Sequence, residues 1–114
     1  KYSLSSLYVV FWISKAGNLS AFIELVKDIY KLSSSFPSDE KYALVQQINK
    51  AAVLVASNIA EGTSRNRYQE KIHFIDISYS SLMEIVCQTE IAFEFGYLKK
   101  DVFENTSKKA KNYR

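Results

Sequence analysis

Ile72, Ile75, Tyr79, Leu82, Val86, Thr89 and Phe93 recur at alternating steps of three and four. That is the heptad rhythm of a long helix with one apolar seam, and only Thr89 weakens it. The pattern runs from about Arg67 to Phe95, roughly 40 Å of helix at about 1.5 Å per residue. A helix of this length cannot bury its own seam, so other helices must cover it. Gly96 supplies the stop, with Tyr97-Leu98 placed to pack back on the helix end.

The preceding segment narrows the architecture further. Ser38 reads as an N-cap, with Asp39 and Glu40 in a first turn where the helix dipole favours carboxylates. From there a helix is expected to reach Glu61, with Gly62 at the C′ position. Its centre, Ala51-Ala-Val-Leu-Val-Ala56, is apolar all round, which predicts burial on more than one side. The span Asp39–Glu61 therefore offers more apolar surface than one protomer hides, and association of copies is expected. Small side chains at Ala51, Ala52, Ala56, Ser57 and Ala60 would let a neighbour approach closely.

An earlier helix spans about Ser20 to Ser34, with Leu19, Phe22, Ile23, Val26, Ile29 and Tyr30 as its apolar stripe. It ends at Ser33-Ser-Ser-Phe-Pro37, where proline removes a donor and restricts its predecessor. A fourth helix, about Lys100 to Lys111, is short and anchored by Val102, Phe103 and Ala110, with Tyr113 beyond. Connectors of four or five residues make successive helices antiparallel. The predicted fold is all-α: an up-down-up-down four-helix bundle over residues 19–114 with a short fourth helix. Residues 1–18, with the apolar run Leu7–Ile13, form an N-terminal extension that reads as either helix or extended packing arm.

Composition removes several classes of function. In 114 residues there are one Cys, one His and three Gly, too few for an internal disulfide, a structural zinc site or a glycine-rich phosphate loop. No apolar run approaches the ~18–20 residues that cross a bilayer, so no membrane partner and a cytoplasmic location are expected. The net charge of +3 is concentrated at the end: Lys99, Lys100, Lys108, Lys109, Lys111 and Arg114 stand against Asp101 and Glu104. Such a tail is either a solvated terminus or an electrostatic arm for phosphates and acidic surfaces.

Catalytic chemistry finds little to work with. Cys87 and His73 are fourteen residues apart on one helix, roughly 21 Å, too far for a nucleophile–base dyad within a chain. Cys87 is expected as a small buried hydrophobe and His73 as a surface or interface residue. Glu70-Lys-Ile-His73 matches half of a di-metal bundle motif, but no second His exists to complete it. No metal, cofactor or catalytic residue is therefore assigned.

The most distinctive local signal is Ser57-Asn-Ile-Ala-Glu-Gly62, followed by Thr63, Ser64 and Arg65. Ser57 and Asn58 follow an apolar run, so they are expected to tie their helix to a neighbour or to the next turn. Glu61 is placed to hold Arg65 across the turn. Beyond it, Arg65, Arg67 and Lys71 gather where the next helix begins, a position whose dipole disfavours cations unless anions compensate. Glu61 and Glu70 offer internal compensation; a phosphate backbone offers it externally, with Tyr42 and Tyr68 as stacking surfaces and Lys50 extending the patch in an assembled oligomer.

Several ordered blocks also carry a resemblance: Phe36-Pro37, Glu40-Lys-Tyr-Ala-Leu44, Gln47-Ile48, Lys50-Ala-Ala-Val53, Ser57-Asn-Ile-Ala-Glu-Gly62, Arg65, Ser80-Ser-Leu-Met-Glu84, and Glu90-Ile-Ala92 through Gly96-Tyr-Leu98. Over about residues 20–100 the chain resembles the bacterial four-helix-bundle family linked to intervening sequences of large-subunit ribosomal RNA genes. The resemblance implies a closed bundle assembling as a homopentameric ring with a basic central channel, and no enzymatic activity. A related branch, the accessory proteins of diversity-generating retroelements, implies nucleic acid and a reverse transcriptase as partners. Where that family carries two adjacent basic residues, this chain has Asn49-Lys50. The expectation is thus a self-associating, non-enzymatic bundle whose Lys50, Arg65, Arg67 and Lys71 contact the phosphates of RNA or DNA. The alternative is a structural or protein-docking module without nucleic-acid binding.

Overall fold

The computed structural model describes residues 19–105, and every regular element in that span is helical. Helix α1 is Leu19–Ser33, a 3-10 helix follows at Ser38–Glu40, α2 is Leu44–Ser64 and α3 is Tyr68–Glu94. A fourth helix opens at 100–105. The N-terminal extension 1–18 and the rest of the expected fourth helix with its anchor Ala110, as well as Tyr113, lie outside the described residues.

Helix α2 is the hub, packing extensively on α3 and on α1. Its Ile48, Ala51, Ala52, Val55 and Ile59 are buried together with Phe22, Leu25 and Ile29 of α1 and Ile75, Leu82 and Ile85 of α3. Phe103 reaches this assembly by stacking on Phe93, with ring centroids 4.3 Å apart and planes 13° from parallel. The four elements thus pack as a helical bundle. No helix among the described residues is long and apolar enough to cross a membrane.

The α3 boundaries match the sequence expectation, with Arg67 and Phe95 as caps. Its end is a Schellman motif. Gly96 N–H donates to Phe93 O and Tyr97 N–H to Ala92 O, both at 2.9 Å, and Gly96 takes φ +80°, a conformation that a side chain would strain. Leu98 is buried and Tyr97 packs on Phe36, so the chain does fold back as expected.

The seam differs from the predicted one. Ile72, Ile75, Leu82 and Thr89 are buried, but Ser78, Ile85 and Ala92 replace Tyr79, Val86 and Phe93 at the centre of the contact. Ser78 Oγ donates to Val55 O of α2 at 2.8 Å, a contact that a large side chain would prevent. The two helices approach through small residues, and the bulkier neighbours flank the seam.

Helix α1 is rotated in the same sense. Its buried face is Phe22, Leu25, Ile29 and Leu32, leading to Phe36. Of the predicted stripe, Leu19, Ile23 and Tyr30 remain 39%, 44% and 49% exposed. The apolar arc of α1 is about half a turn wide at about 100° per residue, and the described residues bury only one side of it.

Three further expectations are corrected. Ser38 does not cap α2: Ser38–Glu40 is a separate 3-10 helix, and α2 starts at Leu44 after Ala43, with no side-chain cap. Tyr97 Oη donates to Glu40 Oε2 at 2.8 Å, which fastens this connector to the end of α3 and away from the α2 axis. Gly62 is not at C′ but inside α2, which runs on to Ser64. It is buried where α3 crosses: a Cβ there would lie 3.2 Å from both Lys71 O and Phe74 Cβ. Cys87 is exposed, because the seam-facing positions beside it belong to Ile85 and Thr89 and a step of two places it across the helix.

Finally, the apolar centre of α2 is largely covered within the protomer, since α1 and α3 flank it. Ala51, Ala52 and Val55 are buried, Leu54 and Ala56 are half-buried, and Val53 alone of that run is exposed, by 42%. The uncovered apolar surface lies more on α1 than the sequence suggested.

Candidate nucleic-acid interface

The α2–α3 corner is a three-residue link in which one residue, Asn66, separates two extended caps. Arg65 closes α2 with φ −78° and ψ 148°, and Arg67 opens α3 with φ −86° and ψ 135°. At the α2 end, Thr63 Oγ1 donates to Ala60 O at 2.9 Å and Ser64 Oγ to Glu61 O at 2.7 Å, satisfying carbonyls of the last turn.

Three of the four expected cations meet here, with distinct duties. Arg65 donates through Nη2 to Glu61 Oε1, as the sequence suggested, and its guanidinium lies 4.8 Å from the centroid of Phe74. The ion pair is about half exposed, so it orients the guanidinium more than it stabilises the fold. Lys71 Nζ donates to Thr63 O at 3.2 Å, bridging from α3 back to the end of α2. The electrostatic difficulty raised by the sequence is thereby resolved: the cations at the α3 N-terminus also sit at the α2 C-terminus, where negative partial charge favours them. Arg67 is exposed and its side chain has no polar partner among the described residues. Tyr68, 60% exposed, follows directly.

Arg65 spends Nη2 on Glu61 and its Nε–H is buried without a partner among the described residues, so its spare outward donors are on the two terminal nitrogens. Lys71 uses one of three donors, and both retain capacity for an external oxyanion while being held in place. Arg65, Arg67, Lys71 and Tyr68 therefore form a preorganised basic and aromatic corner.

Lys50 is not part of it. It lies fifteen residues before Arg65, near the start of α2, about 22 Å away along the axis. Within one protomer the four cations make two places at opposite ends of α2. Lys50 instead shares a groove of about 550 Å³ with Tyr42, which the sequence offered as a stacking surface, and with Tyr30, Lys41, Gln46 and Asn49, which it did not single out. Lys41 and Tyr42 precede Lys50 by eight or nine residues, a little over two helical turns, but the contribution of Tyr30 from α1 depends on the packing.

Ser57 and Asn58 do not tie α2 to a neighbour. Ser57 is exposed and Asn58 half-buried; Asn58 Nδ2 donates to Leu54 O at 2.8 Å and Ser57 Oγ to the same carbonyl at 3.5 Å. Both satisfy themselves on their own helix, an option open to short polar side chains. Inter-helix ties come instead from Ser78, from Lys71, and from Ser33, whose Oγ donates to Asn49 Oδ1 at 2.8 Å.

Among the other titratable groups, burial pushes the Asp76 carboxyl above its ordinary value, and nearby His73 opposes this. His73 itself is exposed, edge-on to Phe74. Among the described residues no three His, Cys, Asp or Glu side chains gather as a metal site would need.

A search of curated proteins finds no match. The family model described as 23S rRNA-intervening sequence protein, by contrast, matches residues 19–114, which include every described helix. With the bundle and its block of matched helices in view, the chain belongs to the 23S rRNA-intervening sequence protein family.

Proposed function

We propose that this chain is a non-enzymatic, self-associating bundle that binds the phosphate backbone of RNA through the α2–α3 corner. The observation that carries the reading is the corner itself: Arg65 and Lys71 are held by Glu61 and Thr63, while Arg67 stands open beside exposed Tyr68. Fixed cations with spare donors suit an oxyanion better than cations ordered only on binding. Family membership is compatible with an RNA-associated role. Lys50 adds a fourth contact when RNA, or a neighbouring copy, spans the length of α2.

Self-association rests on exposed apolar side chains: Leu19 and Ile23 on α1, Val53 on α2, and Ile77 and Ile91 on α3. A five-copy ring with a basic channel is the arrangement that the family resemblance implies. The same surfaces favour the second reading, a docking module for another protein such as a reverse transcriptase. The cytoplasm is the compartment in which ribosomal RNA would be met.

The test is fluorescence anisotropy with single-stranded RNA across a salt series. Four phosphate contacts give a slope of roughly −2.8 in log Kobs against log salt, a loss of about 50-fold between 50 and 200 mM. Arg67→Ala should weaken binding and flatten the slope by about 0.7, with thermal stability unchanged. No binding of RNA or DNA at low salt, or binding indifferent to salt, refutes the reading. Partner capture that survives joint replacement of Arg65, Arg67 and Lys71 by Ala would favour protein docking.

A further inference from the structure

The groove at the opposite end of α2 has chemistry that phosphate binding alone does not use. Tyr42, on the turn before α2, is 81% exposed, and Tyr30, at the end of α1, is 49% exposed. Both line the groove, as do Lys41 and Lys50, and no carboxylate does. Lys41 Nζ lies 5.4 Å from the Tyr42 ring centroid, so cation and aromatic face form a unit. The remaining polar lining is amide: Gln46, and Asn49, whose Oδ1 is engaged by Ser33 Oγ at 2.8 Å and whose Nδ2 has no partner among the described residues. At about 550 Å³ the space is within the ~300–1,000 Å³ of small-ligand sites.

From this combination we infer that the groove is a stacking site for unpaired RNA bases, distinct from the α2–α3 corner. The tyrosine faces take bases, the two ammonium groups take the flanking phosphates, and the Asn49 and Gln46 amides meet base edges. Duplex RNA presents no free base faces to such a groove, whereas a single strand does. The inference deepens the RNA-binding reading and rests on it: it names single-stranded RNA as the substrate class, gives Tyr42 a defined site and adds Tyr30 and Lys41 to the contact set. A second copy of this chain is the rival occupant. The lining argues against the exposed apolar faces of such a copy, such as Leu19 and Ile23, because two ammonium groups without a carboxylate would meet them at a desolvation cost.

Three fluorescent probes separate the possibilities: a 12-nucleotide oligouridine, an abasic 12-mer with the same phosphates, and a 12-base-pair RNA duplex. Oligouridine is expected to bind the full chain at least tenfold more tightly than the abasic strand or the duplex. Tyr42→Ala and Tyr30→Ala should each weaken oligouridine by about 5- to 100-fold and leave the abasic strand unchanged, with Tyr42→Phe retaining wild-type affinity. Because both rings are exposed, unchanged melting of the variants separates lost stacking from lost folding. Salt-dependent binding that treats all three probes alike, or is indifferent to both Ala variants, overturns the stacking site and leaves the phosphate corner standing. No binding of any probe at low salt overturns both. Loss of self-association with Tyr30→Ala, without loss of oligouridine, assigns the groove to contact between copies and also overturns it.

Discussion

Gly62 is the position at which a single methyl group tests the packing of the corner. A helix interior normally favours Ala over Gly by about 0.8–1.0 kcal/mol. Here the added Cβ would sit 3.2 Å from Lys71 O and from Phe74 Cβ, with Ile75 Cδ1 at 3.5 Å. Relief requires α3 to move by a few tenths of an ångström where its first turn crosses α2. The two effects oppose each other, so Gly62→Ala should change stability by no more than about 1 kcal/mol. Gly62→Val adds two further methyl groups to the same space, where overpacking costs about 1–3 kcal/mol and the β-branch removes much of the propensity gain. For a domain of this size each kcal/mol is about 4–8 °C in Tm, so Val should melt roughly 5–20 °C below wild type. Circular dichroism melts of the three proteins at matched concentration measure the difference. A Val variant as stable as wild type would refute the close crossing, and with it the placement of Arg65 over Phe74.

Other expectations concern the ties between helices. Ser78→Ala should cost about 0.5–1.5 kcal/mol in denaturant unfolding, because it removes the buried bond to Val55 O while leaving little void. The raised Asp76 pKa means that the folded state prefers the neutral carboxyl. Stability from this group is present below about pH 3.8 and is lost as pH rises through the elevated folded value, so Asp76→Asn should raise Tm at pH 7 and lose its advantage towards pH 4. Tyr97 is also shifted up, first by its hydrogen bond to Glu40 and then by burial. Its contribution holds up to about pH 10 and fades above, so Tyr97→Phe should flatten the alkaline loss of stability seen in pH-dependent melts.

Much of the fold is legible because α3 declares itself: the heptad rhythm and Gly96 give both ends of the helix. Register was harder. Apolar periodicity weights large side chains, so Tyr79, Val86 and Phe93 stood out, whereas the close contact selects Ser78 and Ala92, which carry almost no hydropathy signal. On α1 the apolar residues span half the helix circumference, so periodicity does not distinguish Leu19, Ile23 and Tyr30 from Leu25 and Leu32, and packing decides which side is buried. Ser38-Asp39-Glu40 has the composition of a helix start, but it forms a separate 3-10 turn held through Glu40 by Tyr97, 57 positions away, which also packs on neighbouring Phe36. The glycine at 62 was visible and its reason was not, since steric closeness to α3 leaves no local signature.

The candidate site divides along the same line. Glu61 with Arg65 is an i,i+4 pair readable from spacing, and the clustering of Arg65, Arg67 and Lys71 follows from adjacency. That Lys71 reaches back to Thr63, and that Lys50 belongs with Tyr30 and Tyr42 at the far end of α2, depends on how the helices pack. Short polar residues such as Ser57 and Asn58 were ambiguous for a physical reason: a bond to their own helix and a bond to a neighbour look identical in sequence.

The central claim is that RNA meets the α2–α3 corner. A TROSY titration of isotope-labelled protein with single-stranded RNA at low salt tests it most directly. Saturable shifts are expected at the amides of Asn66, Arg67, Tyr68 and Lys71, reversed by added salt. Shifts that avoid these residues, or a spectrum that RNA leaves unchanged, would contradict it.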